Sequence, residues 1–232
     1  MPRAAAFFDL DRTLIRKSST LALAPAFRRR GIITRRGLAK AGVLQILFMA
    51  RGADDATVRR SIATGFAALR GFPVAEMQAL LNESLERVLR PLVYAEAEAV
   101  ADEHRARDER LYVVSAGLQE IAEALARALR FDGALGSVCE SVEGVYTGRV
   151  ARALHGHGKG EAVAELARER GYDLGACAAY SDSASDVPLL ELVGRPVAVN
   201  PDRELRRVAQ AREWEIIGFR RRARLAHVAG PT

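Results

Sequence analysis

Between residues 111 and 217 short apolar runs alternate with helical stretches, and that alternation constrains the fold more than any other feature of the chain. Strands are expected at Leu111–Val114, near Ser137–Ser141, and at Ala176–Tyr180, Pro196–Val199 and Glu215–Ile217. Helices are expected at Leu118–Leu129, Gly160–Arg170, Val187–Val193 and Arg203–Arg212, with a hairpin turning at Glu143-Gly144. Strand–helix–strand order calls for crossover connections, hence a mostly parallel sheet with helices on both faces. One earlier strand, Ala4–Leu10, is separated from the rest by a helical stretch: Leu21–Arg30, Arg35–Ala50, Ala56–Leu69, Val74–Arg90 and Tyr94–Asp108. Gly31, Gly52, Gly71, Pro73 and Pro91 punctuate it. The expected organisation is an α/β core built from residues 1–15 and 109–232, with an all-helical cap and its connecting helix, residues 16–108, inserted after the first strand.

Composition narrows the class. The 232 residues are 49% hydrophobic and 28% charged, which suits a folded domain and argues against disorder. A chain this long buries roughly 70–75% of its unfolded surface without staples. Two cysteines, Cys139 and Cys177, exclude a disulfide scaffold and a cysteine-built zinc module, and suggest a reducing compartment. The longest apolar run, Ala41–Ala50, is about half a bilayer span. The N-terminus reaches Asp9 and Asp11 before any signal-length apolar stretch. The expectation is a cytoplasmic protein with no membrane span.

A net charge of +6 raises the question of an anionic partner. Lysine occurs only at positions 17, 40 and 159, so arginine supplies 32 of the 35 cations, a bias that resembles genome composition more than a nucleic-acid face. Nucleic acid is therefore not expected as a partner, and the Arg220–Arg224 tail reads as a solvated terminus. Trp214 is expected in the core. His155 and His157 lack a third imidazole nearby and read as a solvated loop.

In an open α/β sheet, ligands bind beyond the carboxyl ends of the strands. The residues expected there are Asp9, Asp11 and Thr13 after the first strand, Ser115, Ala116 and Gly117 after the second, and Ser181, Asp182 and Asp186 later, with Lys159 opening a helix beside them. Asp9 and Asp11, two apart on a strand end, point broadly the same way. Two close carboxylates need a proton or a cation between them, and an all-oxygen neighbourhood selects a hard one, most simply Mg²⁺. A lone Asp-x-Asp would merely start a turn; here the other loops need explaining too. Ser115 precedes the free amides of a helix opening, an anion site or an ordinary cap. Lys159 stands between Gly158 and Gly160, a mobile point charge where an arginine fork would demand fixed geometry. The Walker pattern fails at Glu161. Asp182 and Asp186 can meet on one side of a loop-to-helix junction, one as a metal ligand and the other as its support. Together these groups suit phosphoryl transfer to an aspartate, with the second aspartate moving the proton.

Asp9-Leu-Asp11-Arg-Thr13 after an apolar strand, then Ser115, Lys159, and Asp182 with Asp186, resemble the haloacid dehalogenase superfamily of phosphatases, in particular its phosphoserine-phosphatase-like branch with a helical cap. The resemblance covers roughly residues 4–18 and 110–217 and implies a Rossmann-like core. It implies Asp9 as nucleophile, Asp11 as general acid and base, and Mg²⁺ held by the Asp9 carboxylate, the Asp11 carbonyl and Asp182. It also implies phosphate held by Thr13, Ser115, Ala116 and Lys159, with Asp186 in support. The substrate would be a small phosphorylated metabolite. Where phosphoserine phosphatases carry an acid for the substrate's ammonium, this chain has Ser18, flanked by Arg16 and Lys17, which disfavours an amino-acid substrate. Two alternatives are a phosphotransferase or phosphomutase on the same intermediate, and a basic nucleic-acid or membrane-surface adaptor on an enzyme-like fold. The adaptor sits poorly with the retention of Asp9, Asp11, Lys159 and Asp182.

Overall fold

The structure, a computed structural model, describes residues 3–33 and 55–221. Among the described residues seven strands form one sheet: β1 (Ala5–Asp9), β2 (Arg110–Leu118), β3 (Gly133–Val142), β4 (Val145–Arg152), β5 (Ala178–Ser181), β6 (Arg195–Val199) and β7 (Glu215–Ile217). Their spatial order is β4-β3-β2-β1-β5-β6-β7, parallel except for the β3–β4 hairpin. Helices α1 (Ser19–Arg29), α2 (Asp55–Ala67), α3 (Val74–Ser84) and α4 (Ala95–Ala106) lie between β1 and β2. Helices α5 (Gln119–Ala128), α6 (His157–Arg170), α7 (Val187–Leu190) and α8 (Arg203–Ala211) follow β2, β4, β5 and β6. The α/β class, the parallel sheet and the helical segment after β1 are as the sequence led us to expect. No described helix is long and apolar enough to cross a membrane.

Period-two alternation makes β1 the centre of the molecule. All five of its residues are buried. Ala6 and Phe8 face a core shared with α5, with the helices of the insertion, and with Tyr180. Ala5 and Phe7 face the opposite core with Val163 of α6, Leu189 and Leu190 of α7, and Leu205 of α8. Strand parity then sends Asp9 to the α6 side, the side from which Lys159 comes. The chain winds outward from β1 through β2 and β3, then returns through β5 on the other side, so β1 and β5 flank the switch point where such sheets bind ligands. The turn at Glu143-Gly144 is a two-residue hairpin with φ of 50° and 77°, the positive pair that a type I′ turn requires.

Some boundaries differ from expectation, each for a local reason. The helix expected over Val74–Arg90 is α-helical only to Ser84; a π-helical turn, Leu85–Leu89, and a 3-10 turn, Arg90–Leu92, follow. Pro91 cannot donate to residue 87 and its ring crowds that carbonyl, so the helix widens before it. The strand expected from Ala176 starts at Ala178, because Asp173 accepts from the Gly175 amide at 2.9 Å and winds Leu174–Ala176 into a 3-10 turn. Helix α7 stops at Leu190 rather than Val193; Gly194 beyond it is pressed so close to the Gly175 carbonyl that a Cβ there would clash. Trp214 is half-buried at the edge of the second core, under the Arg212 guanidinium 5.2 Å from its ring. The helix expected at Arg35–Ala50, with its apolar run, and residues 222–224 of the basic tail fall outside the described residues.

Behind the centre of the sheet, Phe8 stacks on Tyr180 with centroids 4.4 Å apart, and the Tyr180 hydroxyl meets His104 Nε2 at 2.7 Å. His104 Nδ1 faces Glu109. Burial holds the imidazole below its ordinary range although Glu109 pulls the other way. Below about pH 6.5 the unfolded chain therefore takes up a proton that the native state resists, and stability falls as pH falls. Thermal melts from pH 7 to pH 5 should show a smaller acid loss for His104→Gln than for the wild type; parallel curves would remove His104 as the cause.

Candidate active site

The carboxyl ends of β1 and β5, the 3-10 turn Ala184–Asp186 and the first turn of α6 meet around one buried ammonium. Lys159 Nζ donates to Asp9 Oδ1 at 2.5 Å and to Asp186 Oδ2 at 2.7 Å, and Ser181 Oγ donates to the same Asp186 oxygen at 2.7 Å. Lysine, both aspartates and the serine are all buried. The glycines around Lys159 earn their place sterically. A Cβ on Gly158 would sit 2.7 Å from the Ala153 carbonyl, and one on Gly160 3.3 Å from the Pro188 carbonyl. Helix α6 can present Lys159 only by passing this close to neighbouring backbone. Gly158→Ala should therefore displace the first turn of α6 and lower turnover by up to about 100-fold, with a smaller loss of stability; steady-state rates beside a melting curve would test it.

Beyond β1 the chain turns through Arg12, in the left-handed region at φ 67°, and folds back with Leu14 N bonded to the Leu10 carbonyl. This turn buries Thr13, whose hydroxyl has no hydrogen-bond partner, and aims the Asp11 carboxylate at the start of α1, where Oδ1 accepts from the Ser19 amide at 2.8 Å. Ser18 is the N-cap of that helix, its hydroxyl accepting from the Leu21 amide. On β2, Ser115 lies one residue past Val114, the register partner of Asp9. Its hydroxyl accepts from the Gly117 amide at 3.0 Å, while the Ala116 carbonyl accepts from Ser137. Asp182, one residue past β5, pairs with Arg12 Nε at 2.9 Å, and its carbonyl accepts from the Asp202 amide.

Burial dominates the electrostatics. It pushes the Asp9 carboxyl up to about 6 against the pull of Lys159, with Asp186 and Asp11 adding to the rise. Burial and then the Asp9 charge push Asp182 up to about 8, against Arg12. Asp11 is also raised by burial, opposed by the Ser19 amide. For Lys159 burial works against the charged form, but Asp186 and Asp9 outweigh it and hold the ammonium above its ordinary range.

The structure thus gathers Asp9, Lys159 and Asp186 into one hydrogen-bonded cluster, with Asp182 close enough for the Asp9 charge to raise its carboxyl. It sets Asp11, Thr13, Ser115 and Ala116 on the adjoining strand ends. His157 opens α6 as an exposed residue. Arg12 has no role in the sequence reading, and Ser181, expected at the end of its strand, has none beyond that place. The available signals were an arginine between the two motif residues Asp11 and Thr13, and a serine directly before Asp182.

Residues 6–191 match the family of haloacid dehalogenase-like hydrolases. Over 219 residues the chain is 42% identical to a probable phosphatase of Mycobacterium tuberculosis, covering 94% of this chain and 76% of the relative. It is 38% identical over 233 residues to phosphoserine phosphatase SerB1 of the same organism, covering 99% and 75%. A crystal structure of a protein of unknown function from Bordetella pertussis superimposes with a TM-score of 0.81 at 29% identity, covering 94% of this chain and 99% of that one. The chain belongs to the haloacid dehalogenase-like hydrolases. Within them it is an enzyme that stands with the phosphatases.

Proposed function

We propose that the protein is a Mg²⁺-dependent phosphomonoesterase that works through an aspartyl-phosphate on Asp9. The observation that carries this reading is the buried Asp9–Lys159–Asp186 cluster at the end of the central strand. Asp9 lies against an ammonium that favours its ionised, nucleophilic form, and attack on phosphorus forms the acyl phosphate. Lys159, the Ser115 hydroxyl and the Ala116 amide offset charge on the phosphoryl oxygens, with Thr13 beside them. Asp186 and Ser181 keep the lysine aimed. Asp11, lifted by burial, gives its proton to the leaving oxygen and then takes one from the incoming water. Its contact with the Ser19 amide ties that proton transfer to the first helix of the insertion, and residues 16–108 act as the cap that chooses the leaving group.

The donor set fits a hard divalent cation. Among the described residues no group of three or more His, Cys, Asp or Glu side chains is placed to hold a metal ion by itself, but Asp9 and Asp182 are buried oxygen donors, and the Asp9 charge disfavours that of Asp182. Mg²⁺ held by these two carboxylates and the Asp11 carbonyl would supply positive charge to the phosphoryl group.

The test is release of inorganic phosphate from an aryl phosphate, with Mg²⁺ and with EDTA. Release that requires Mg²⁺ is the expected result; release untouched by EDTA would overturn the metal assignment. In a substrate panel we expect L-phosphoserine to be slower than phosphate esters lacking an ammonium. Ser18 is committed to capping α1, and Arg16 and Lys17 flank it. A clear preference for L-phosphoserine would end that expectation.

A further inference from the structure

Arg12 occupies a position that favours almost any small polar residue over arginine. Its φ of 67° is a conformation that Gly, Asn and Asp adopt with less strain. What arginine brings is the contact with Asp182, Nε to Oδ2 at 2.9 Å, between a carboxylate 5% exposed and a side chain 41% exposed. The pair is made through Nε, whereas a bidentate fork would lock both oxygens, so one competing charge can break it. A side chain exposed to this degree can turn outward into water. The carboxylate has no such path.

We propose that Arg12 competes with the divalent cation for Asp182 and so sets the cation concentration at which the site fills. This rests on the metal reading above. A cation on Asp182 and the guanidinium on the same oxygen exclude each other, and where both remain near they repel. Arg12 therefore weakens cation binding through the lost pair and through like charge, and loading turns its side chain away from Asp182. Lys159 does not compete for Asp182, because its ammonium is paired with Asp9 and Asp186 and buried between them.

The experiment is calorimetric titration with Mg²⁺ alone, without substrate, on wild type, Arg12→Asn, Arg12→Lys and Asp182→Asn. Asparagine tolerates the positive φ while removing the charge; Arg12→Gly serves the same purpose should the Asn variant fold poorly by circular dichroism. Arg12→Asn is expected to bind Mg²⁺ about three- to tenfold more tightly, the range that the loss of one partly exposed ion pair allows. Arg12→Lys should fall between it and the wild type. Equal or weaker binding by Arg12→Asn overturns the proposal, and weaker binding is what a merely structural role would give. Asp182→Asn separates the two levels of inference. If it binds Mg²⁺ like the wild type, the metal reading fails; if it loses binding while Arg12→Asn gains none, the competition alone fails.

Discussion

Asp9→Asn will lower phosphate release by at least about a thousandfold, the scale on which removal of a covalent nucleophile acts, while the protein keeps its fold. Asparagine matches the shape of the buried aspartate and cannot form the acyl phosphate. The fold should survive because Asp9 is not an inexpensive residue to bury. Burial raises its carboxyl against the pull of Lys159, and Asp186 remains to hold the lysine after the substitution. Initial rates on an aryl phosphate, with circular dichroism on the same samples, make the comparison. Substantial activity in a folded Asp9→Asn variant would move the nucleophile elsewhere and take the mechanism with it.

Lys159→Met will both silence the enzyme and destabilise it. Lys159 is 3% exposed and lies between two buried carboxylates, so its loss leaves Asp9 and Asp186 facing each other without a counter-charge. Breaking a buried pair by removing one partner costs about 3–5 kcal/mol. For a chain of this length that is a fall in Tm of about 6–20 °C. The loss should also depend on pH. The wild-type lysine is held above its ordinary range, so its own deprotonation removes the contribution only above about pH 10.5. The repulsion left in the variant is relieved when Asp9 protonates, and burial already lifts that carboxyl to about 6 in the wild type, so the Tm difference should narrow as pH falls through that range toward 4. Lys159→Arg is not expected to restore activity, because a planar fork does not fit where one nitrogen meets two acids, one at the end of β1 and one in the 3-10 turn before α7. A Tm difference that stays constant from pH 8 to pH 4 would argue that Lys159 acts by packing alone.

The class of fold was legible because periodicity is a local property. Alternating apolar runs and helical stretches can build a parallel sheet in only a few ways, and strand β7 matches its expected limits at Glu215–Ile217. Candidate site residues were legible for a related reason. Ligands gather at strand ends, and the strand ends of this chain carry acids, hydroxyls and one lysine in a sequence almost without lysine. Boundaries were less legible where a distant atom decided them. Helix α7 ends early beside Gly194, which lies against the carbonyl of Gly175, nineteen positions earlier.

What the sequence determined by itself is therefore the list of chemistries and the order in which they come: Asp9, Asp11 and Thr13, then Ser115, then Lys159, then Asp182 and Asp186. The tertiary structure decided which of them touch. Only the folded sheet brings Lys159 across 150 positions to Asp9, gives Asp186 to the lysine with Ser181, and leaves Asp182 to Arg12. The reason is physical. Residue type and spacing follow from neighbours along the chain, but ion pairing in a buried site depends on strand order and on the parity that turns each side chain to one face. It also depends on the exclusion of water that makes each misplaced charge expensive.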